Sequence, residues 1–119
     1  MREPTFLILT ALARTPMHGY GLIQEVAELS SGTLELRPGT LYGALDRLTD
    51  EGLVAVDREE IVDGRARKYY RLTDAGDTAL RGETERLRRS VEAATHRLAT
   101  RPAPHLDIAA GMAFGGSAS

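Results

Sequence analysis

The sequence predicts a mainly α protein carrying one small β-hairpin. Three observations point there. Three short apolar segments, each closed by a proline or glycine, occupy residues 5–52. The period then changes from helical to alternating around the pair Asp63-Gly64. Finally, a heptad pattern runs from Leu80 to Leu98.

The first segment, Thr5 to Ala13, is almost wholly apolar: Phe6, Leu7, Ile8, Leu9, Ala11 and Leu12. Pro4 before it suits a first helical turn, and Arg14-Thr15-Pro16 ends it. In His18 to Leu29, Leu22, Ile23, Val26 and Leu29 share one helical face, and Ser30-Ser31-Gly32 stops the helix. Pro38 to Glu51 is the third helix. Leu41, Leu45 and Leu48 form its inner face, and Gly52 is its stop signal. Its outer face holds Arg37, Thr40, Gly43, Asp46, Arg47 and Asp50.

Leu53 to Ile61 and Ala66 to Leu72 read as two strands of a hairpin turning at Asp63-Gly64. Tyr70 shares a face with Leu72 and is expected inside, with Tyr69 on the other face. Thr73 reads as an N-cap, with Asp74 and Asp77 favoured by the helix dipole behind it. The last helix runs to about Thr100, with the seam Leu80, Thr84, Leu87, Val91, Ala94 and Leu98. At about 27 residues it would reach roughly 40 Å, longer than a small core can cover. A symmetric partner is the expected cover, through Leu80, Leu87, Val91, Ala94 and Leu98. The expected division is a domain of three helices and the hairpin over 1–72, a dimerisation helix over 73–101 and a flexible tail over 102–119. That tail carries Pro102, Pro104 and the end Gly115-Gly116-Ser117-Ala118-Ser119.

The chain has 119 residues, enough for one modest core. It contains no cysteine, which excludes disulfides, thiolate nucleophiles and zinc ribbons. No apolar run approaches the roughly 20 residues that span a bilayer, and no signal layout opens the chain. A cytoplasmic protein is expected. His18, His96 and His105 show no metal-ligand spacing. No nucleophile–base pair and no phosphate-cradling glycine loop is present, so neither an enzyme nor a cofactor is expected.

Net charge is −2, and the pI of about 5.9 is not that of a basic nucleic-acid domain. The placement of the cations matters more. Of 15 basic residues all but Lys68 are Arg, whose planar fork suits phosphate and guanine. Arg65, Arg67 and Lys68 crowd the hairpin turn, while Asp57, Glu59, Glu60 and Asp63 make the preceding strand acidic. Those acids are expected to pair across the hairpin with Arg67 and Arg71.

Three short helices, a hairpin and a long helix are the order of a winged helix-turn-helix followed by a dimerisation helix. A major groove about 12 Å wide admits one helix, and the third would present its N-terminal residues to base edges, so 1–72 is the expected DNA-binding domain. Tyr20 and Tyr42 either touch DNA or are core aromatics whose hydroxyls reach the surface. Arg47 either contacts DNA or pairs with Asp50 or Glu51. A protein-assembly module that uses the same fold without DNA is the alternative, motivated by the acidic pI and first wing strand.

Three motifs make the reading specific. They are His18-Gly19-Tyr20-Gly21-Leu22-Ile23, then Arg37-Pro38-Gly39-Thr40-Leu41-Tyr42-Gly43-Ala44-Leu45 with Glu51-Gly52-Leu53-Val54, then Gly64-Arg65-Ala66-Arg67-Lys68-Tyr69-Tyr70-Arg71-Leu72-Thr73-Asp74-Ala75-Gly76. In this order and spacing the chain resembles the small members of the PadR family of bacterial transcriptional regulators. The resemblance covers roughly residues 5 to 80. It implies a winged-helix homodimer that represses transcription from a palindromic operator. Because a repressor must be switched, a small-molecule effector is a separate expectation, in a dimer cleft between the C-terminal helix and the winged domain. The resemblance places Tyr20 near the DNA backbone and Thr40 and Tyr42 on DNA, with Arg37 and Gly39 beside them at the helix start. It puts Arg65, Arg67 and Lys68 at the basic wing. Gly43 stands where the family often has proline, and Arg37 where a small polar residue is common. Some relatives bind aromatic drugs through interface tryptophans, and this chain has none.

Overall fold

A computed structural model describes residues 1–103. The elements are α1 (Glu3–Leu12), β1 (Met17–His18), α2 (Gly19–Leu29), α3 (Pro38–Asp50), β2 (Val54–Val62), β3 (Arg65–Leu72) and α4 (Asp74–Thr100). The chain divides into two compact units, the first Met1–Arg86 and the second starting at Leu87. Four helices and a small antiparallel sheet make this a winged helix-turn-helix, as the element order predicts.

Each helix starts and stops for a local reason. Pro4 lies in the first turn of α1, where its missing N–H costs no helical bond. His18 caps α2, its Nδ1 accepting the Gly21 N–H at 3.0 Å. The end of α2 turns through Ser31 and Gly32 at φ 54° and 81°, and the Gly32 N–H returns to the Ala27 carbonyl at 2.7 Å. Pro38 opens α3, and Gly52 at φ 78° closes it, with the Leu53 N–H returning to the Leu48 carbonyl at 2.9 Å.

The core is formed where the apolar faces of α1, α2 and α3 meet the base of the sheet. Ile8, Leu9, Leu22, Val26, Leu41, Leu45, Leu48 and Val54 are fully buried, joined by Ala11, Leu12, Leu36, Ala44 and Tyr70. The inner face of α3 is the expected one, with Ala44 added. Leu29 departs from its expected place and is exposed. It follows Val26 by one helical turn but stands in the last turn of α2, where the chain is already leaving the core.

The hairpin turn has Asp63 at φ 53° and Gly64 at φ 77°, the two positive values that a two-residue type I′ turn requires. The sheet is larger than the expected hairpin. Its order is β1-β3-β2, because Met17 and His18 pair antiparallel with Tyr70 and Tyr69. Two residues leave no alternating pattern, so β1 has no signature of its own in the sequence. Tyr70 is buried, as the alternation predicts; Tyr69, expected exposed on the other face, is half-buried.

The first turn of α4 is anchored twice. The Thr73 hydroxyl accepts the Gly76 N–H at 3.0 Å, which makes it the expected cap, and donates to the Gly52 carbonyl at 2.6 Å. Gly76 lies so close to the preceding loop that a Cβ there would stand 2.1 Å from the Leu53 carbonyl oxygen. Leu80, the head of the heptad seam, packs against this unit's own core. Within the second unit, Val91, Ala94 and Leu98 are exposed and Leu87 is half-buried. Residues 104–119, which hold His105 and most of the expected tail, lie outside the described residues. Among the described residues no helix is long and apolar enough to cross a membrane.

This packing gives a prediction that runs against helix propensity. Alanine normally favours a helix interior over glycine by about 1 kcal/mol. Gly76→Ala is nevertheless expected to destabilise, because forcing a methyl onto the Leu53 carbonyl costs about 1–3 kcal/mol. Urea denaturation reads the difference. A raised midpoint would show that this turn is not held against the loop.

Candidate nucleic-acid interface

Two of the three sequence motifs meet through Tyr42. This side chain leaves the first turns of α3 and lies over the start of α2. A Cβ on Gly19 would stand 2.2 Å from the Tyr42 hydroxyl oxygen, so a side chain there would displace the phenol from its present place. The third motif joins them through β3, which carries Tyr69 and Tyr70 alongside Met17 and His18. The result is a cleft of about 670 Å³. Tyr20 and Tyr42 line it from the helical side, Tyr70 from β3, and Arg65, Arg67 and Lys68 from the wing.

The lining of this cleft combines phenols, three cations and two carboxylates. Tyr20 and Tyr42 are exposed, so their phenols combine an apolar face with a reachable hydroxyl. Burial pushes the Tyr70 hydroxyl above its usual value, helped by the neighbouring Tyr42 and Asp46. It therefore stays protonated and neutral at physiological pH. Arg65, Arg67 and Lys68 form no ion pair with a carboxylate among the described residues. Glu59 and Asp63 line the same cleft and temper its charge.

The acids of β2 are distributed differently from the cross-hairpin expectation. Asp57 does reach Arg71, at 4.0 Å. Glu60 stands opposite Arg67 in the register, yet its hydrogen bond is to Arg58, whose Nε donates to it at 3.0 Å. Arg58 also donates to Asp57 at 3.1 Å, so one guanidinium serves two carboxylates of its own strand. The hydrogen bond from Arg58 holds the Glu60 carboxyl below its ordinary value.

The remaining predicted residues are placed elsewhere on α3. Arg37 and Gly39 are exposed at its N-terminus, where free backbone N–H groups favour anions. Gly43 faces open space. Thr40 and Arg47 line a second groove, of about 620 Å³, against Met1, Pro4 and Thr5 of the α1 end. There Arg47 donates to the Thr5 hydroxyl at 3.2 Å, a partner that neither sequence alternative named. Five of the nine predicted DNA-facing residues thus share the first cleft: Tyr20, Tyr42, Arg65, Arg67 and Lys68.

Sequence reasoning reads His18 as a helix N-terminal residue, which it is, and misses two contributors: Gly19 beneath Tyr42, and Arg58. The signal for Arg58 was a cation in an otherwise acidic strand, opposite an aromatic residue once the register is known. Among the described residues no group of three or more histidines and acids is arranged to hold a metal ion.

Comparison with known proteins agrees with this geometry. Over 73 residues the chain is 47% identical to the transcriptional regulator Rv3488 of Mycobacterium tuberculosis, a match spanning 61% of this chain and 64% of that protein. A PadR family transcription regulator from Clostridium difficile superposes with a TM-score of 0.70 at 26% identity, covering 82% of this chain and 99% of the other. Bacillus subtilis PadR, solved in complex with operator DNA, superposes with a TM-score of 0.59 at 25% identity. That match covers 87% of this chain and 51% of the other, so the chain spans about half the length of that protein. Residues 8–82 match the transcriptional regulator PadR-like family, and the chain belongs to it.

Proposed function

We propose that the chain is a dimeric, sequence-specific DNA-binding repressor acting on a palindromic operator, and not an enzyme. The observation that carries this reading is the single cleft in which the α2 start, the α3 start and the basic wing converge. The α3 N-terminus would enter the major groove with Thr40 and Tyr42 toward base edges. Arg37, Gly39 and Tyr20 would meet the flanking backbone. Arg65, Arg67 and Lys68 would neutralise phosphates beside the groove. The operator complex of Bacillus subtilis PadR supports DNA as the partner. Such a protein works in the bacterial cytoplasm, beside the chromosome.

The seam of α4 supports a dimer. Val91 and Leu98 are each more than half exposed, an apolar stripe that a second copy would cover together with Leu87 and Ala94. Two copies would set their α3 helices about 34 Å apart, on successive major grooves of one duplex face. We include in this reading a small-molecule effector that favours one of two dimer conformations of unequal operator affinity.

The test is fluorescence anisotropy with the duplex upstream of the protein's own coding region, against a shuffled duplex, at several salt concentrations. Arg65→Ala and Lys68→Ala are each expected to weaken binding to both duplexes and to reduce the log-affinity against log-salt slope by roughly one. Thr40→Ala is expected instead to narrow the gap between the two duplexes. Unchanged slopes would take the wing off the phosphates. Absence of binding to any duplex would favour the protein-assembly reading, which the acidic residues Glu59 and Asp63 in the cleft also serve. Light scattering at micromolar concentration should give twice the 12.9 kDa chain mass. A monomer mass would remove the dimer.

A further inference from the structure

The paired strands of the wing are not in simple register. Val56 stands opposite Tyr70, and the next pairing is Arg58 opposite Tyr69. Asp57 is the extra residue of a bulge. Without that insertion the anion Asp57, rather than a cation, would face the Tyr69 ring. With it, the Arg58 guanidinium carbon lies 3.9 Å from the centre of that ring. The opposite neighbour of Tyr69 is the His18 ring, edge-on at 5.3 Å and 71°. His18 in turn holds the first turn of α2 through the Gly21 N–H.

These contacts form one continuous chain from the wing to the helix that bears Tyr20. Asp57 and Glu60 orient the guanidinium, the guanidinium covers Tyr69, Tyr69 abuts His18, and His18 caps α2. Arg58 does not line the cleft, and its Nε and one terminal nitrogen are already bonded to carboxylates. Its place is therefore behind the cleft, not in it.

We propose that Arg58 is a positioning residue for DNA binding: its stack on Tyr69 holds the wing cations at a set distance from the α2 and α3 starts. The inference rests on the DNA-binding reading above. Arg58 touches no phosphate in this scheme. It acts through Tyr69 and His18. Lysine cannot replace it fully, because an ammonium lacks the planar face and the fork that serves Asp57 and Glu60 together. Arg58 is about half exposed, so its variants should fold.

The experiment pairs a DNA readout with one that needs no DNA. Arg58→Gln and Arg58→Lys are titrated with the upstream duplex across salt, beside Arg65→Ala. Arg58→Gln is expected to lose roughly three- to tenfold in affinity. Its salt slope should stay unchanged, whereas Arg65→Ala loses about one unit of slope. Arg58→Lys should fall between Arg58→Gln and wild type. The triple variant Arg58→Gln, Asp57→Asn, Glu60→Gln removes the exposed acids and should recover affinity only in part. In the free protein, the His18 ring resonances, assigned with His18→Asn, should move in Arg58→Gln as the Tyr69 ring loses its cover. Four results would overturn the inference: unchanged affinity, a slope reduced by about one, full recovery in the triple variant, or unmoved His18 resonances. Failure of the wild type to bind duplex would instead sink the DNA reading, and the His18 resonances would still report whether the stack exists.

Discussion

Strand β3 is hydrogen-bonded along both edges, to β2 on one side and to Met17-His18 on the other. That pairing decides where everything else in the cleft can stand. A wing held only by its own hairpin would swing on Leu53 and Thr73. Pairing with β1 ties it to the residue before α2, so the wing cations and the helix N-termini share one frame. Tyr70 is the residue on which both sides converge: it faces β1 and β2 in register, and its ring is buried in the core.

The electrostatics of the cleft follow from a local arrangement of opposite charges. Part of the acidic charge of the chain is paired with arginines away from the cleft cations. Arg58 and Arg71 engage Asp57 and Glu60 on the wing. Along α4, Arg81 pairs with Asp77, Arg86 with Glu83 and Arg88 with Glu92. Such exposed pairs contribute little to stability. Arg65, Arg67 and Lys68, outside these pairs, line the cleft together with Glu59 and Asp63. Net charge, which sums over both populations, therefore does not describe the local charge of the cleft.

Glycine carries the tight steric requirements of this fold at two contacts with different purposes. Gly76 lets the first turn of α4 approach the Leu53 carbonyl and so closes the first unit. Gly19 lets Tyr42 lie across the α2 start and so shapes the cleft. Neither has a positive φ, so turn chemistry cannot reveal them. Their close contacts come from neighbours that are distant in the chain: the Leu53 backbone for Gly76 and the Tyr42 phenol for Gly19.

Local chemistry alone determined the helices, their ends and the wing turn. Proline at a first turn, glycine at a stop, Asp63-Gly64 at the turn and Thr73 as a cap act over a few residues, and each acts here as its type dictates. Helical spacing likewise named the inner face of α3, and alternation named Tyr70 as the buried tyrosine. Tertiary structure decided what depends on partners far apart in sequence. The pairing of β1 with β3, the bond from Arg47 to Thr5, the departure of Leu29 from the core and the bulge that sets Arg58 over Tyr69 belong to that class. A one-residue register shift exchanges an anion for a cation opposite an aromatic ring. No spacing rule along one strand contains that information, because register is a relation between two strands.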